Sequence, residues 1–554
     1  MRLRLNPIAL ALLTATGGMA HAEIAPDAGQ SMREIQSQPL SLPPKQTLEL
    51  NLPAAPDTTA KVTGPTLQVN GFTITGNTVI ADDQLLALLV DLQNRVVSLG
   101  ELQAGAARIT ALYRQQGYPL ARAYLLTGAQ EIDKGVVSIS VLEGQYGQVR
   151  INNQSRVRDG VLQAPLSALD PGDAVRAAPL ERGLLLLQQT PGVAVQSTLQ
   201  PGAVVGATDL VVDVKDAPLV SGQVDLDNYG NRFTGEYRLG GTLNLASPLG
   251  LGDQASVRVM GSDEDQHYYR AAYQLPVGPW STQVGVAYSD MDYQLAKDFD
   301  ELDAKGNARI ASVFVQQPLI RSRAFSLNAQ LQYDHKHLRD DIDLYDSSSK
   351  KQARVVTASV DGNLRDNLLG GGVSAFSLAW SEGSLNLDGA FDKLFDGLTA
   401  KTAGRFQKIN PSVVRLQRLS ERFSLYGQVQ GQWADGNLDS SEKISLGGAY
   451  GVRAYPQGEA SGDQGYVANL ELRYALTEQW NLLTFVDHGS VRLNKDTWSD
   501  GENHRSLSAT GVGANWSASG WRLSTVAAWR VGNADPQSDV SRTPRVWAQV
   551  SKAF

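Results

Sequence analysis

The sequence predicts an all-β transmembrane barrel of about 16 antiparallel strands, preceded by two α+β units and an N-terminal helix. Three observations predict it. Segments late in the chain alternate apolar and polar residues, and two of them carry aromatic residues at both ends of the apolar row. No apolar run reaches the ~18–20 residues of a spanning helix. The N-terminus reads as an export signal, which places the mature chain where a barrel is the remaining way to satisfy every backbone group in lipid.

The export signal is residues 1–22, MRLRLNPIALALLTATGGMAHA. Arg2 and Arg4 form a positive n-region, residues 8–15 a short apolar core, and Ala20-His21-Ala22 a small-x-small site, so cleavage is expected between Ala22 and Glu23. The chain has 49 Lys+Arg against 57 Asp+Glu, a net charge of −8. That balance argues against nucleic-acid binding, which leaves a basic footprint. With no cysteine there is no disulfide framework, thiolate zinc site or cysteine nucleophile.

Residues 23–38 are polar with a weak helical pattern that Asp27 is placed to cap. Residues 39–65 are rich in proline and polar residues and read as a semi-extended linker with a reach of about 80 Å. Residues 66–217 alternate short strands with helices, in two units of the same order. The first unit, 66–144, has a strand at 67–75, a turn at Gly76-Asn77, helices at 82–92 and 98–116, and strands at 120–126 and 136–142. The second, 145–217, has a strand at 147–152, helices near 157–168 and 179–190, and strands at 194–199 and 209–215. Units of this order, in tandem between an export signal and a β zone, resemble POTRA domains, the periplasmic modules of outer-membrane translocases. GFTITGNT (71–78), YRQQGYPLARAYL (113–125) and VLEGQYGQVRI (141–151) carry the likeness.

From residue 218 to 554 no convincing helix is expected. Phe325, Leu327, Ala329, Leu331 and Tyr333 alternate with Ser326, Asn328, Gln330 and Gln332. Tyr466, Ala468, Leu470, Leu472 and Tyr474 oppose Val467, Asn469, Glu471 and Arg473, and a third such segment runs from Trp521 to Trp529. An apolar outer band with aromatic girdles and a polar lumen requires this pattern. The acidic stretch 289–303 reads as an exposed loop. The chain ends on Phe554, the kind of terminal aromatic that outer-membrane barrels present to their assembly machinery, although Lys552 interrupts the alternation.

Motifs inside the barrel narrow the family. LDNYGNRFTGEYRL (226–239) and LNLASPLGLGDQ (243–254) open it, SLGGAYGVRAYPQGEASGDQGY (445–466) follows, and FVDHG (485–489) comes last. In this order, and over essentially the whole mature chain, they resemble the two-partner secretion transporters (TpsB), the hemolysin activation/secretion branch of the POTRA-barrel superfamily. The resemblance implies that 23–38 is a plug helix and that a loop bearing Val452, Arg453, Ala454 and Tyr455 folds back into the lumen. It also implies that Arg453 pairs with Asp487 on the inner wall, within the motif of Phe485, Asp487 and Gly489. Ala454 stands where the family usually has glycine, which leaves the tip conformation of the loop open, because alanine tolerates fewer backbone angles. Independently, an arginine inside a pore is partly desolvated and needs a carboxylate.

No phosphate-binding loop, H-E-x-x-H or G-x-S-x-G motif occurs. His335 and His337 share a strand face without an evident third ligand, which reads as a surface pair. No cofactor, metal or catalytic role is expected. The resemblance implies a monomeric pore in the outer membrane, with its POTRA domains in the periplasm. It passes a large TpsA-type exoprotein, unfolded and without ATP, after the POTRA domains capture it. Pairing of an extended peptide with the strand edge at 120–126 or 194–199 is the expected mode. The alternative is a barrel-assembly factor of the same superfamily.

Overall fold

The computed structural model describes residues 25–37, 39–43, 50–51, 65–126 and 135–554. The expected export signal, with Ala22 and Glu23, and most of the 39–65 segment lie outside the described residues.

Helix α1 (Ala28–Gln36) begins at Asp27, whose side chain accepts from the Gln30 backbone N–H at 2.8 Å, the cap that the sequence suggests. In the linker, β1 (Leu50–Asn51) is a two-residue strand. The first α+β unit follows. It comprises β2 (Thr66–Val69), β3 (Gly71–Thr75), α2 (Asp82–Ala87), β4 (Arg95–Ser98), α3 (Leu99–Gln115), β5 (Arg122–Leu125) and β6 (Val136–Leu142). The single strand expected at 67–75 is two: Asn70 separates β2, paired with β4, from β3, which runs parallel to β6. Helix α3 opens with a capping box between Ser98 and Glu101 and buries Leu102, Ala106, Ile109 and Tyr113 against β6.

The second unit has β7 (Gln145–Gln154), α4 (Asp159–Gln163), α5 (Ala177–Gln188), β8 (Val193–Pro201) and β9 (Ala207–Asp216). The helix expected near 157–168 is shorter, because Pro165 turns its end into a 3₁₀ segment. Strand β1 pairs parallel to β8, Leu50 opposite Ser197, so the edge expected to be open at 194–199 is partly taken by the chain's own linker. Strand β5, by contrast, lies at an edge of its sheet among the described residues.

The remainder closes into one antiparallel barrel of 16 strands, the expected fold class. Its first half is β10 (Val220–Asp227), β11 (Arg238–Ala246), β12 (Gln254–Ser262), β13 (His267–Val277), β14 (Thr282–Gln294), β15 (Ala304–Arg321), β16 (Phe325–Ile342) and β17 (Ser347–Asp366). The second half begins with β18 (Gly372–Leu387), β19 (Gly404–Arg418) and β20 (Phe423–Ala434). A short pair, β21 (Ile444–Ser445) and β22 (Ser461–Gly462), then lies off the wall. Strands β23 (Gln464–Ala475), β24 (Trp480–Arg492), β25 (His504–Ala518), β26 (Trp521–Arg530) and β27 (Arg545–Ala553) complete the wall, and β27 pairs with β10 to leave no edge. Tyr466, Leu470 and Leu472 face outward, while Val467, Asn469 and Glu471 are buried inward, as the alternation predicts. Lys552, which interrupts the pattern, lies 5.3 Å from the Trp521 ring and donates to the Ser519 carbonyl, its charge carried to the rim of the barrel.

Two expectations are corrected. The stretch 289–303 is not one loop. Ser289 to Gln294 extend β14, paired with β15, and only Lys297–Leu302 leaves the wall, as a 3₁₀ turn. The barrel zone also contains a helix, α6 (Ala390–Leu398), whose apolar residues Phe391, Leu394, Phe395 and Leu398 recur at helical spacing.

The second α+β unit docks on the barrel's short turns. Arg182 donates to the carbonyls of Leu319 and Pro318, both at 2.9 Å, and Glu181 accepts from the Arg323 backbone at 2.6 Å. These contacts fix which end of the barrel faces the α+β units.

Candidate functional site: a charged lock in the barrel lumen

Between β21 and β22 the chain turns into the lumen. Residues 446–460 form a compact loop held by its own backbone: Val452 N–H donates to the Leu446 carbonyl at 2.7 Å, and Leu446 N–H to the Glu459 carbonyl at 3.1 Å. Gly448, at φ +113°, supplies the sharp reversal. Val452 and Tyr455 are fully buried, with Leu446, Phe485 and Leu507 around them. The Tyr455 hydroxyl donates to the Ala534 carbonyl at 2.9 Å. Ala454 is buried, and its backbone lies outside the left-handed region, so the tip needs no glycine there.

Arg453 sits at the centre. Its Nη2 is 2.7 Å from Asp487 Oδ1 and its Nε 2.9 Å from Oδ2, a bidentate fork, and the Arg453 backbone N–H adds a third contact to Asp487 at 3.1 Å. Nη1 donates to Glu471 at 2.7 Å. The guanidinium lies over the Phe485 ring, 3.5 Å from its centroid. Asn469 holds Asp487 Oδ1 and the Gly451 carbonyl with one amide, each at 2.8 Å, and Trp547 donates to the Arg453 carbonyl at 2.7 Å. Burial alone would lower the Arg453 pKa, but Asp487 and Glu471 outweigh it and raise it above its ordinary value. Gly489 is what lets the loop approach. A side chain there would meet Leu446 at 3.0 Å and Val452 and the Tyr466 carbonyl at 3.2 Å.

The motif residues Val452, Arg453, Ala454, Tyr455, Phe485, Asp487 and Gly489 are therefore in one place. Phe554 is not among them. It closes the opposite end, its backbone exchanging hydrogen bonds with Gly222 at 2.9 and 3.0 Å. Asn469, Glu471, Arg473 and Trp547 were not singled out as site residues from the sequence, yet Glu471 and Arg473 complete the charge balance and Asn469 and Trp547 hold its members in place. The signal was present in the polar row Asn469, Glu471, Arg473 of the alternating segment.

A second cluster ties α1 to the segments flanking the loop and to the wall. Arg33 donates to the Ser440 carbonyl at 2.9 Å, to Ser445 at 2.7 Å and to Ser461 at 3.0 Å, and also to the Lys443 carbonyl. Asp27 accepts from Ser440 at 2.6 Å and pairs with Lys351 at 3.2 Å, while Ala28 N–H donates to Asp340 at 2.8 Å. Ala28 and Met32 pack among Phe233, Met260, Met291 and Tyr293. Below them Glu442 receives Lys336 at 2.6 Å and Lys408 at 2.7 Å. Burial would raise its pKa, but the two ammonium groups hold it down to about 2. Both α1 and the 446–460 loop thus occupy the lumen, held by ion pairs and hydrogen bonds as well as by apolar packing.

The profile of the family described as haemolysin secretion/activation protein ShlB/FhaC/HecB matches residues 206–516. The chain belongs to this family. The profile of the ShlB-type POTRA domain matches residues 67–144. The heme/hemopexin transporter protein HuxB of Haemophilus influenzae is 28% identical over 509 residues, 89% of each chain. The outer membrane transporter CdiB of Escherichia coli is 25% identical over 459 residues, 81% of this chain and 75% of CdiB. Among solved structures, CdiB from Escherichia coli shares the fold with a TM-score of 0.71 at 22% identity, covering 95% of this chain and 96% of its own. BamA from Haemophilus ducreyi shares it at 0.53 and 14% identity, covering 89% of this chain. The BamA likeness is one of fold, and the family match decides against the assembly-factor alternative. As a ShlB/FhaC/HecB-type protein, the chain is an outer-membrane β-barrel transporter of two-partner secretion, with its POTRA region in the periplasm.

Proposed function

We propose that this transporter exports one large exoprotein in unfolded form, that helix α1 closes the resting pore, and that Arg453 seats the 446–460 loop in the position that export requires. The observation that supports this reading is the fork of Arg453 on Asp487 inside a lumen that α1 also occupies. An unfolded chain needs α1 displaced, and the hydrogen bonds of Arg33 that hold it are ones that water or an incoming backbone can replace. The first α+β unit captures the partner. Strand β5 offers an edge for backbone pairing, which gives affinity with little sequence demand. Partner folding outside the cell prevents return and supplies direction without ATP. The signal is cleaved between Ala22 and Glu23, the barrel-assembly machinery reads Phe554 during biogenesis, and the protein works in the lipid as a monomer.

Deletion of the gene, followed by comparison of proteins in the medium, tests this directly. Loss of one large exoprotein, restored by the wild-type gene, is the expected result. A secreted set that does not change rejects it.

A further inference from the structure

The outer wall on β15 to β17 holds two arginines and two histidines with no role in the lumen. Its height is set by an aromatic belt. Tyr269, Tyr288, Tyr333, Trp380 and Trp433 all stand exposed on the outer face, toward the end of the barrel away from the α+β units. Tyr333 lies opposite Val313 on one side and Val356 on the other, still within the apolar band. His335, His337, Arg309 and Arg354 come next outward. Arg309 faces His337 across one strand pair, and His335 faces Arg354 across the next. The two imidazole rings are 4.4 Å apart.

One residue pair along a strand rises about 7 Å. The group therefore stands just above the belt, where hydrocarbon gives way to headgroups. Only Arg309 is neutralised, by Asp290 at 3.2 Å. Among the described residues the Arg354 guanidinium has neither a hydrogen bond nor an ion pair. His335 Nε2 likewise has no hydrogen-bond partner. Arg354 is exposed on the outer face, so its guanidinium is free to take an acceptor from outside the chain, and the buried His335 Nε2 beside it lacks the partner that a buried polar atom ordinarily has. This is the arrangement that a tetrahedral oxyanion completes, since arginine binds phosphate through two parallel N–H donors.

We propose that Arg354, His335, His337 and Arg309 form a binding site for the phosphate of an outer-leaflet glycolipid. The site faces lipid directly above the aromatic belt, so the phosphate arrives on an acylated molecule whose chains lie along Val313, Tyr333 and Val356 below. Basic groups at a membrane surface recognise anionic headgroups in the same way.

The test uses the full-length protein in detergent, with native mass spectrometry or thermophoresis as readout. The probes are bisphosphorylated lipid A, the same lipid with both phosphates removed, and sodium phosphate. Bisphosphorylated lipid A should bind, and removal of its phosphates should weaken binding about tenfold or more. Arg354→Gln should weaken it by a similar factor, and Arg354→Lys by less. Lys552→Gln, at the opposite rim, should leave it unchanged. Heat-modifiable mobility on gels verifies that each variant is a folded barrel. Equal binding of the dephosphorylated lipid, or full binding by Arg354→Gln, overturns the proposal. Displacement of lipid A by millimolar phosphate identifies a site for the free anion and overturns the lipid assignment.

Discussion

Arg453 lies over the ring of Phe485. Its guanidinium carbon is 3.5 Å from the ring centroid while the edge of the same group forks onto Asp487. The two contacts require a planar, delocalised cation, which a lysine ammonium cannot imitate. The side chain of Asp487 is fully buried and that of Glu471 nearly so, so the arginine is their compensation.

Arg453→Ala leaves Asp487 and Glu471 buried without their cation, at a cost of about 3–5 kcal/mol to the closed loop. Partner export, measured as exoprotein in the medium, should fall sharply while the barrel still inserts. Arg453→Lys should recover little of it, because one ammonium cannot serve Asp487 twice and Glu471 as well. Export by the lysine variant at wild-type level would show that charge alone matters.

The position of that loop also explains what was legible in the sequence. Strand alternation with aromatic ends has one physical cause, lipid outside and water inside, so the barrel follows from the pattern and its strand number from the length of the zone at roughly 20 residues per strand and connection. Arg453 and Asp487 were found through motif likeness, because nothing local marks two residues 34 positions apart as partners. Glu471 and Trp547 escaped because each reads as an ordinary wall residue until the loop folds against it. Helix α6 was missed because its apolar stripe is only nine residues long and sits in a loop between long strands. The split of 67–75 was hidden because Asn70 interrupts pairing without breaking the β character on either side.

The close approach of the loop rests on Gly489. A Cβ there meets Leu446 at 3.0 Å and Val452 at 3.2 Å, so alanine requires shifts of a few tenths of an ångström and valine considerably more. Gly489→Val should reproduce the export defect of Arg453→Ala, with an overpacking cost of about 1–3 kcal/mol, and Gly489→Ala should be mild. Normal export by the valine variant would show that the loop tolerates displacement.

The hold on α1 centres on Arg33, which reaches Ser440, Ser445 and Ser461. Hydrogen bonds made by a charged group contribute about 1.5–3 kcal/mol each when part-buried, less where water replaces them. Arg33→Ala should raise the frequency and amplitude of openings in planar bilayers, and deletion of residues 23–38 should raise them further. Conductance equal to wild type in both variants would mean that α1 does not limit the pore.

In the first α+β unit, the buried Glu143 carboxylate accepts from the Thr78 and Val79 backbone N–H groups at 2.7 and 2.9 Å, from the Tyr113 hydroxyl at 2.7 Å and from the Thr78 hydroxyl. Burial pushes its pKa up, but these donors outweigh burial and hold it below the ordinary carboxylate value. A carboxylate depressed in the folded state stabilises the fold above its unfolded pKa. That contribution disappears as pH falls through the folded value. The protection of the Thr78 and Val79 amides against exchange, taken relative to the intrinsic rate at each pH, should therefore be high at neutral pH and fall on acidification below the ordinary carboxylate range. Glu143→Gln places an amide donor against donors and loses about 1–3 kcal/mol. Its protection at these amides should be low at neutral pH and should change little on acidification. Slow exchange in the glutamine variant at pH 7 would show that packing of Tyr113 alone holds this corner of the unit.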